Sequence, residues 1–421
     1  MSTFNSIRTL LLSITSFLLL LLIGCGGEES AEGVNLRFAH FWSEPSQKEL
    51  LQARIAEFEA QNPGIKVELI DMNWGNGKDK LFSMFNSGQA PDVIELGSDW
   101  VAQFASEGVL LDLTSMPGDS LGRFPKEFLT PGTWDHVVYA RPWFVGTQAM
   151  YVNKGLLKEA GVEGGTFKSW DDVLNAGEQV SAKFKEASPP RFGFGAAVND
   201  EHRVYKRILS LFWSNGGEVL DPSGIPHLNS PENIEALELY LTLARNGRFD
   251  QQRQIDQLFL KGDIAFWVSG SWLMGQITKE NPDLDYVVMP LPTFGEKPAY
   301  SFGGGEFLAI DAKTKQKEGA QKLVSFLTSA DQALAFCKGL NSGYIPADLS
   351  VEKDPFLQEG PQKGFTDQMK NSRFTPIHPK WLDIERILEE EIAHAVLGDK
   401  EAAQALGDAQ ARVSEELAGG K

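Results

Sequence analysis

Strand-like and helical stretches alternate strictly near the start of this chain, and that order leaves few folds open to it. Asn35 to Phe41 alternates weakly, as a strand does; Leu51, Ile55 and Phe58 then recur at helical spacing until Asn62-Pro63-Gly64 ends the helix. Next, Ile65, Val67 and Leu69 alternate with Lys66, Glu68 and Ile70, and a helical segment from Lys78 to Asn86 leads through Ser87-Gly88 to the strand candidate Asp92-Val93-Ile94-Glu95-Leu96. Strand, helix, strand, helix, strand is the order of a parallel sheet covered by helices, an α/β fold. The alternation restarts after Val138-Tyr139-Ala140, with strand candidates at Ala149–Val152 and Phe192–Gly195 and helices at Trp170–Lys185 and Val204–Trp213. Two α/β lobes follow, and 421 residues suit two domains better than one. The helices at Gly319–Leu327 and Asp383–Leu397 have no strand run of comparable strength after them, and no long linker separates the halves. That is expected if the chain crosses between lobes more than once.

The first residues stand apart from this pattern. Met1 to Gly24 carries one basic residue, Arg8, and a mostly apolar run from Leu10 to Ile23. The run falls short of the roughly 20 residues a membrane span requires, so residues 1–24 read as a secretory signal peptide. Leu22-Ile23-Gly24-Cys25 resembles a bacterial lipobox, which implies lipid on Cys25 and an extracytoplasmic, membrane-anchored protein; residues 25–33, with Glu28, Glu29, Ser30 and Glu32 among glycines, suit a flexible tether. Cys337 is then the only thiol left, so no internal disulfide is expected, and its apolar helical setting reads as a small buried side chain. A net charge of −18 argues against nucleic acid as a partner and against anionic ligands.

From Leu36 onward, local patterns resemble the family-one extracellular solute-binding proteins of ABC importers, the maltose-binding-like group. They include Phe58-Glu59-Ala60-Gln61-Asn62-Pro63-Gly64-Ile65-Lys66-Val67, Gly88-Gln89-Ala90-Pro91-Asp92-Val93 and Tyr151-Val152-Asn153-Lys154-Gly155-Leu156-Leu157. Ser169-Trp170-Asp171-Asp172-Val173 resembles a helix start usual there, with Ser for the usual Thr. Phe259 to Phe266 with Ser269-Gly270-Ser271-Trp272, and Lys317 to Ser329, are similar to the family's later strand, loop and helix. The resemblance implies a periplasmic-binding-protein-like fold of two lobes, with a hinge crossed more than once and a ligand cleft between. Lobe one would hold residues 34–141 and 301–335, and lobe two residues 142–300 and 336–421. It also implies a monomer that captures a sugar, needs no cofactor and delivers its ligand to a membrane permease by closing; presenting the liganded state to a membrane sensor would use the same cleft.

A sugar offers apolar C–H faces and a rim of hydroxyls, so its site needs flat aromatic rings beside planar hydrogen-bonding groups. Of the 10 Trp, Trp42, Trp74, Trp100, Trp143, Trp213, Trp267 and Trp272 fall at or just beyond strand or helix ends, where loops face a cleft. Trp100, Trp170 and Trp267 read better as structural. Trp272 matches the family loop whose Trp stacks on the ligand, Trp381 matches its late stacking aromatic, and Trp42 with Glu44 stands where the family contacts sugar. Asp99 matches a family carboxylate that accepts sugar hydroxyls, although its position equally suits a helix N-cap. Gly303-Gly304-Gly305-Glu306 lacks the Lys-Ser or Lys-Thr of a phosphate loop; with Gly304 and Glu306 it reads as a crossover where backbone approaches ligand. Arg373 offers either a guanidinium fork to hydroxyls or a surface salt bridge.

Rival chemistries find less support. The six His form no H-x-H or H-E-x-x-H cluster, so no metal site is expected, and no G-x-S-x-G is present. A secreted carbohydrate-active enzyme stays as the alternative outside the binding class, since among 57 Asp and Glu some pair always falls at a catalytic separation. Within the class, a polyamine or other cationic solute facing Glu44, Asp99 and Glu306 is the alternative ligand. The anchor itself is testable: a Cys25→Ala variant is expected to move from the membrane fraction to the soluble extracytoplasmic fraction, and equal membrane retention in variant and wild type would dismiss lipid at Cys25.

Overall fold

The computed structural model describes residues 33–162, 167–341 and 343–419; the leader and Cys25 lie outside the described residues. In chain order the strands are β1 (Val34–His40), β2 (Ile65–Asp71), β3 (Val93–Gly97), β4 (Thr133–Trp134), β5 (Val137–Val138), β6 (Ala140–Thr147), β7 (Ala149–Asn153), β8 (Phe192–Ala197), β9 (Arg248–Asp250), β10 (Ile264–Ser269), β11 (Tyr286–Met289), β12 (Ser301–Ile310), β13 (Ile345–Pro346) and β14 (Ser372–Arg373). They form two main sheets. The first runs β13-β6-β12-β3-β1-β2, with β14 paired to β12; the second runs β11-β7-β10-β8-β9. The expected two-lobed α/β architecture is therefore present. Strands β1, β2 and β3 are parallel, joined by the helices Pro45–Gln61 and Gly77–Asn86, while β12 lies antiparallel between β3 and β6.

Local chemistry accounts for these elements. Leu51, Ile55 and Phe58 form the buried stripe of the helix Pro45–Gln61, as their spacing predicts. The helix Trp170–Phe184 starts on a capping box: Ser169 Oγ accepts the Asp172 N–H at 3.2 Å and the Asp172 carboxylate accepts the Ser169 N–H at 2.9 Å. Ser169 thus supplies the cap of this helix, and buried Trp170 fastens it to its lobe. Cys337 is fully buried and free, and burial pushes its thiol up. No helix among the described residues is long and apolar enough to cross a membrane.

The chain passes between the sheets three times among the described residues: from β6 to β7 through Gln148, from β11 back to β12, and from β14 to the helix Trp381–Leu397, which packs on the second lobe's helices. The sheets move the expected domain boundary at 141/142, because all of β6 through Thr147 belongs to the first sheet. Pro142 sits inside that strand without penalty since the register shifts between Glu306 and Phe307, and a bulge tolerates a residue with no N–H. The boundary at 335/336 moves too, because the helix Ala330–Leu340 packs on the helix Pro45–Gln61 and β13 pairs with β6.

In the first lobe an aromatic nest fills the space behind β6. Trp143 stacks on Phe144 at 4.3 Å and on Phe336 at 5.4 Å, and Trp42 meets Phe336 edge-on at 5.2 Å. Trp143 is 1% exposed, so Trp143→Ala is expected to cost about 3–5 kcal/mol of stability. A lowered denaturant midpoint would register this, and a loss under about 1 kcal/mol would deny the nest its structural role.

Candidate functional site

Gly97-Ser98-Asp99, at the end of β3, starts one wall of the space between the lobes. Ser98 is anchored by its N–H to the Gly305 carbonyl at 2.9 Å. Gly97 is needed because a Cβ there would lie 2.7 Å from Asp99 Oδ1 and 3.6 Å from the Trp74 ring. Trp74 stacks on Phe41 at 3.9 Å and 19°, meets Trp100 edge-on at 5.3 Å, and is still 37% exposed. An aromatic platform thus stands beside a carboxylate. Asp99 does not cap the following helix: Trp100 holds the N-cap position of Val101–Ser106, and Asp99 Oδ2 instead accepts the Tyr205 hydroxyl at 2.8 Å from the second lobe.

The opposing wall is the first turn of the helix Val204–Asn215. Its cap comes from the helix Trp381–Leu397, where Glu389 accepts the N–H of His202 at 2.9 Å and of Tyr205 at 3.0 Å. His202 has a left-handed backbone, φ 64°, and its ring pairs with Glu385. Lys206 lies over the Phe302 ring at 5.2 Å and the Tyr205 ring at 5.6 Å and makes no ion pair among the described residues. These charges shift one another. Burial raises Glu385 to about 7 against the hydrogen bond from His202. Burial pulls His202 down, but the hydrogen bond and charge of Glu385, with Asp99 and Glu389, outweigh it and raise the imidazole. Burial raises Glu306 to about 8, opposed by Lys206 and reinforced by Asp99.

The residues expected from sequence divide sharply here. Trp74, Asp99 and Glu306 come together with the newly found Tyr205 and Lys206. Trp272 is half-buried, lies against Gly270 and donates its indole N–H to Asp256 at 3.1 Å; the same carboxylate accepts Trp267 at 2.7 Å. Trp42, Trp143, Trp213 and Trp381 are buried, the last edge-on to Tyr205 at 6.0 Å, so their rings pack inside the protein instead of lining an open face. Glu44 is exposed just before the helix Pro45–Gln61 and makes no side-chain cap. Arg373 is tied to Glu218 at 2.7 Å and lies over Trp213, the salt-bridge reading of the two its sequence allowed. Gly304 serves packing: a Cβ would fall 2.7 Å from Phe302, and at Gly305 one would fall 2.2 Å from the Phe144 carbonyl.

Tyr205, Lys206 and Glu385 were missed because none has a diagnostic neighbour in sequence. One signal was present: Glu385 and Glu389 recur four apart among Ile384, Ile387, Leu388 and Ile392, so two acids share an otherwise apolar stripe. A hollow of about 360 Å³ on the first lobe's outer face, lined by Lys48, Gln52, Ile55 and Leu69 among others, lies away from this wall-to-wall contact and gathers no aromatic ring.

Two lobes meeting through side chains at the ends of their strands define a cleft-type binding protein. The chain belongs to the bacterial extracellular solute-binding protein family, whose model matches residues 43–334. A binding-protein relative from Brucella abortus (strain 2308) is 28% identical over 364 residues, covering 84% of this chain and 86% of its own. The GacH receptor of Streptomyces glaucescens, studied unliganded and with acarbose, shares the fold at TM-score 0.81 and 20% identity, covering 91% of this chain and 98% of that one. UgpB from Mycobacterium tuberculosis, in complex with glycerophosphocholine, matches at TM-score 0.81 and 22% identity over 91% of this chain and 98% of its own. The family and these neighbours are binding proteins, not enzymes.

The Tyr205–Asp99 bond joins the lobes directly, so Tyr205→Phe should favour the open form by on the order of 1.5 kcal/mol. Small-angle scattering of the ligand-free protein is expected to give a larger radius for the variant than for wild type; equal radii would deny the bond any part in closure.

Proposed function

We propose that this protein is the substrate-capturing lipoprotein of an ABC importer, which holds a neutral saccharide between its lobes and offers the closed form to a membrane permease. The observation that carries this reading is the pairing of an exposed ring with groups from both lobes: Trp74 beside Asp99, and Asp99 bonded to Tyr205. A ring stacks on the C–H face of a sugar while a carboxylate and a hydroxyl take its hydroxyls. Trp74, Asp99, Tyr205, Lys206, Trp272 and Glu306 are the residues proposed to meet the ligand, which gains its full set of contacts only when the lobes close. The acarbose complex of the GacH neighbour supports a saccharide. Lipid on Cys25, action as a monomer and delivery to a permease complete the proposal.

A cationic solute is the second reading, favoured by the carboxylates Asp99, Glu306, Glu385 and Glu389 gathered around Lys206 and His202. The choline-bearing ligand of the UgpB neighbour is compatible with it. Lys206 weighs against it, because a ligand cation would meet an ammonium that has no ion pair among the described residues. Thermal shift with oligosaccharides, spermidine and glycerophosphocholine decides between them: stabilisation by oligosaccharides is expected, and stabilisation by spermidine alone would replace the first reading with the second.

Trp74 supplies the quantitative test. Burying about 100 Å² of ring and sugar at about 25 cal/mol per Å² is worth on the order of 2.5 kcal/mol, so Trp74→Ala should weaken binding by roughly 70-fold. The melting temperature of the variant should fall by only a few degrees, about what loss of the contacts with Phe41 and Trp100 costs, so the titration is run well below it. Calorimetric titration with the stabilising oligosaccharide checks this, and unchanged affinity would remove Trp74 from the site.

A further inference from the structure

Beneath the cleft, two carboxyl groups lie on neighbouring strands of the first sheet. Glu306 pairs with Gly97 and Leu308 with Glu95 across β12 and β3, which puts Glu95 and Glu306 on one face as diagonal neighbours. Side chains of this length reach one another across such a diagonal. Glu95 is 0% and Glu306 8% exposed, and each has one carboxylate oxygen, Glu95 Oε1 and Glu306 Oε2, without a hydrogen-bond partner among the described residues. No ion pair reaches either within the described residues, although the chain supplies Lys206 close by. Two buried carboxylates with one ammonium nearby and no ion pair among the described residues cannot both stay charged, because each loses hydration and repels the other.

We propose that Glu95 and Glu306 form a proton-holding pair in the cleft floor, and that Glu306 meets the ligand as a neutral carboxyl group able to donate a hydrogen bond. The role at the ligand rests on the reading of the cleft as a saccharide site; the proton pair does not. Glu306 feels the charges of Asp99 from its own lobe and of Lys206 from the other, whose ammonium lies over Phe302 on the same strand as Glu306, so a ligand held by those two groups would come near it. With Asp99 an acceptor and Lys206 a donor, a neutral Glu306 adds a second donor for a sugar oxygen.

From the loop after β1, the Phe41 N–H donates to Glu95 Oε2 at 2.9 Å and the Trp42 indole N–H also favours its charge, but burial and then the charge of Glu306 raise Glu95 well above the carboxylate range. Tyr344, before β13, donates to Glu306 at 3.5 Å, is itself raised by burial and by both carboxyls, and feels Cys337 behind it. His40, which ends the neighbouring β1, is lowered to about 4 by burial, opposed by Asp71 and helped by Lys48, and is neutral here. Asp99 and Lys206 act from the cleft side.

The direction of the pH effect follows. Glu306 rises from 4.5 to about 8, so the folded state holds a proton that the unfolded chain has released. The resulting stability is full below about 4.5 and is lost as pH climbs toward about 8. Glu306→Gln keeps the shape and stays neutral at every pH. The melting temperature of the full chain should therefore rise relative to wild type by roughly 1–2 °C per pH unit between pH 5 and 8, and parallel curves would overturn the proton pair. For the ligand role, acarbose and glycerophosphocholine serve as probes in titrations at pH 6 to 9. Wild-type affinity should fall about tenfold per unit above the Glu306 midpoint, Glu306→Gln should bind without that fall, and Glu306→Leu should bind poorly at every pH. A wild-type affinity independent of pH, or equal loss in both variants, would overturn the donor role. Failure of wild type to bind acarbose at pH 6 would overturn that role along with the saccharide reading, and binding of glycerophosphocholine alone would favour the cationic reading, while the melting curves still decide the proton pair.

Discussion

Three crossing segments bound to one another hold the two lobes in register. Thr147 Oγ1 donates to the Phe302 carbonyl at 2.8 Å, Ser301 Oγ donates to the Gln148 carbonyl at 2.7 Å, and Ser372 Oγ donates to Thr147 Oγ1 at 2.7 Å. Two of the bonds join the first pass to the second and one joins the first to the third, while β14 pairs with β12 to link the second and third, so none of the three strands can twist without pulling on another. The glycines of β12 make this possible. Any side chain at Gly303, Gly304 or Gly305 would press on Ser372, Phe302 or the Phe144 carbonyl, and the passes would be forced apart. A joint of short hydroxyl bonds between extended strands can bend about its length while resisting shear, and hinge closure of a two-lobed binder needs that combination.

Because the joint fixes where the lobes face each other, it also fixes which polar groups share the cleft. The second lobe contributes one helix end, held by Glu389 reaching across from the helix Trp381–Leu397. A carboxylate at a helix N-terminus satisfies orphan N–H groups and favours the local dipole. Here it also locks His202 in a left-handed conformation and sets Tyr205 facing Asp99. The acids of the helix Trp381–Leu397 therefore position the residues that face the opposite wall.

Sequence carried the fold well because the fold is written in periodicity. The stripe of Leu51, Ile55 and Phe58, the alternation in Ile65–Ile70 and the start at Ser169-Trp170-Asp171-Asp172 each specify an element locally, and each forms. Tryptophan placement carried the site less well. A Trp just past a strand end can turn into a cleft or into its own lobe, and nothing within a few residues distinguishes the two. Trp74 turns outward onto Phe41, whereas Trp42, placed much like it after β1, turns inward to Phe336, and Trp143 lies within β6 itself and stacks on Phe336. The boundary at β6 was displaced for a related reason, since the bulge that accommodates Pro142 exists only through pairing with β12, far along the chain.

The same distinction explains why so many acids could hide in plain view. Among 57 Asp and Glu, each carboxylate is ordinarily a solvated surface charge. Glu95, Glu306 and Glu385 are exceptions that only the packing of distant strands and helices creates, and their environment moves their chemistry away from the ordinary carboxylate. Burying them costs free energy that apolar side chains of similar size would not. A fold with ample apolar core has no structural need for that cost, so its concentration between the lobes and just beneath them supports the proposed ligand site there.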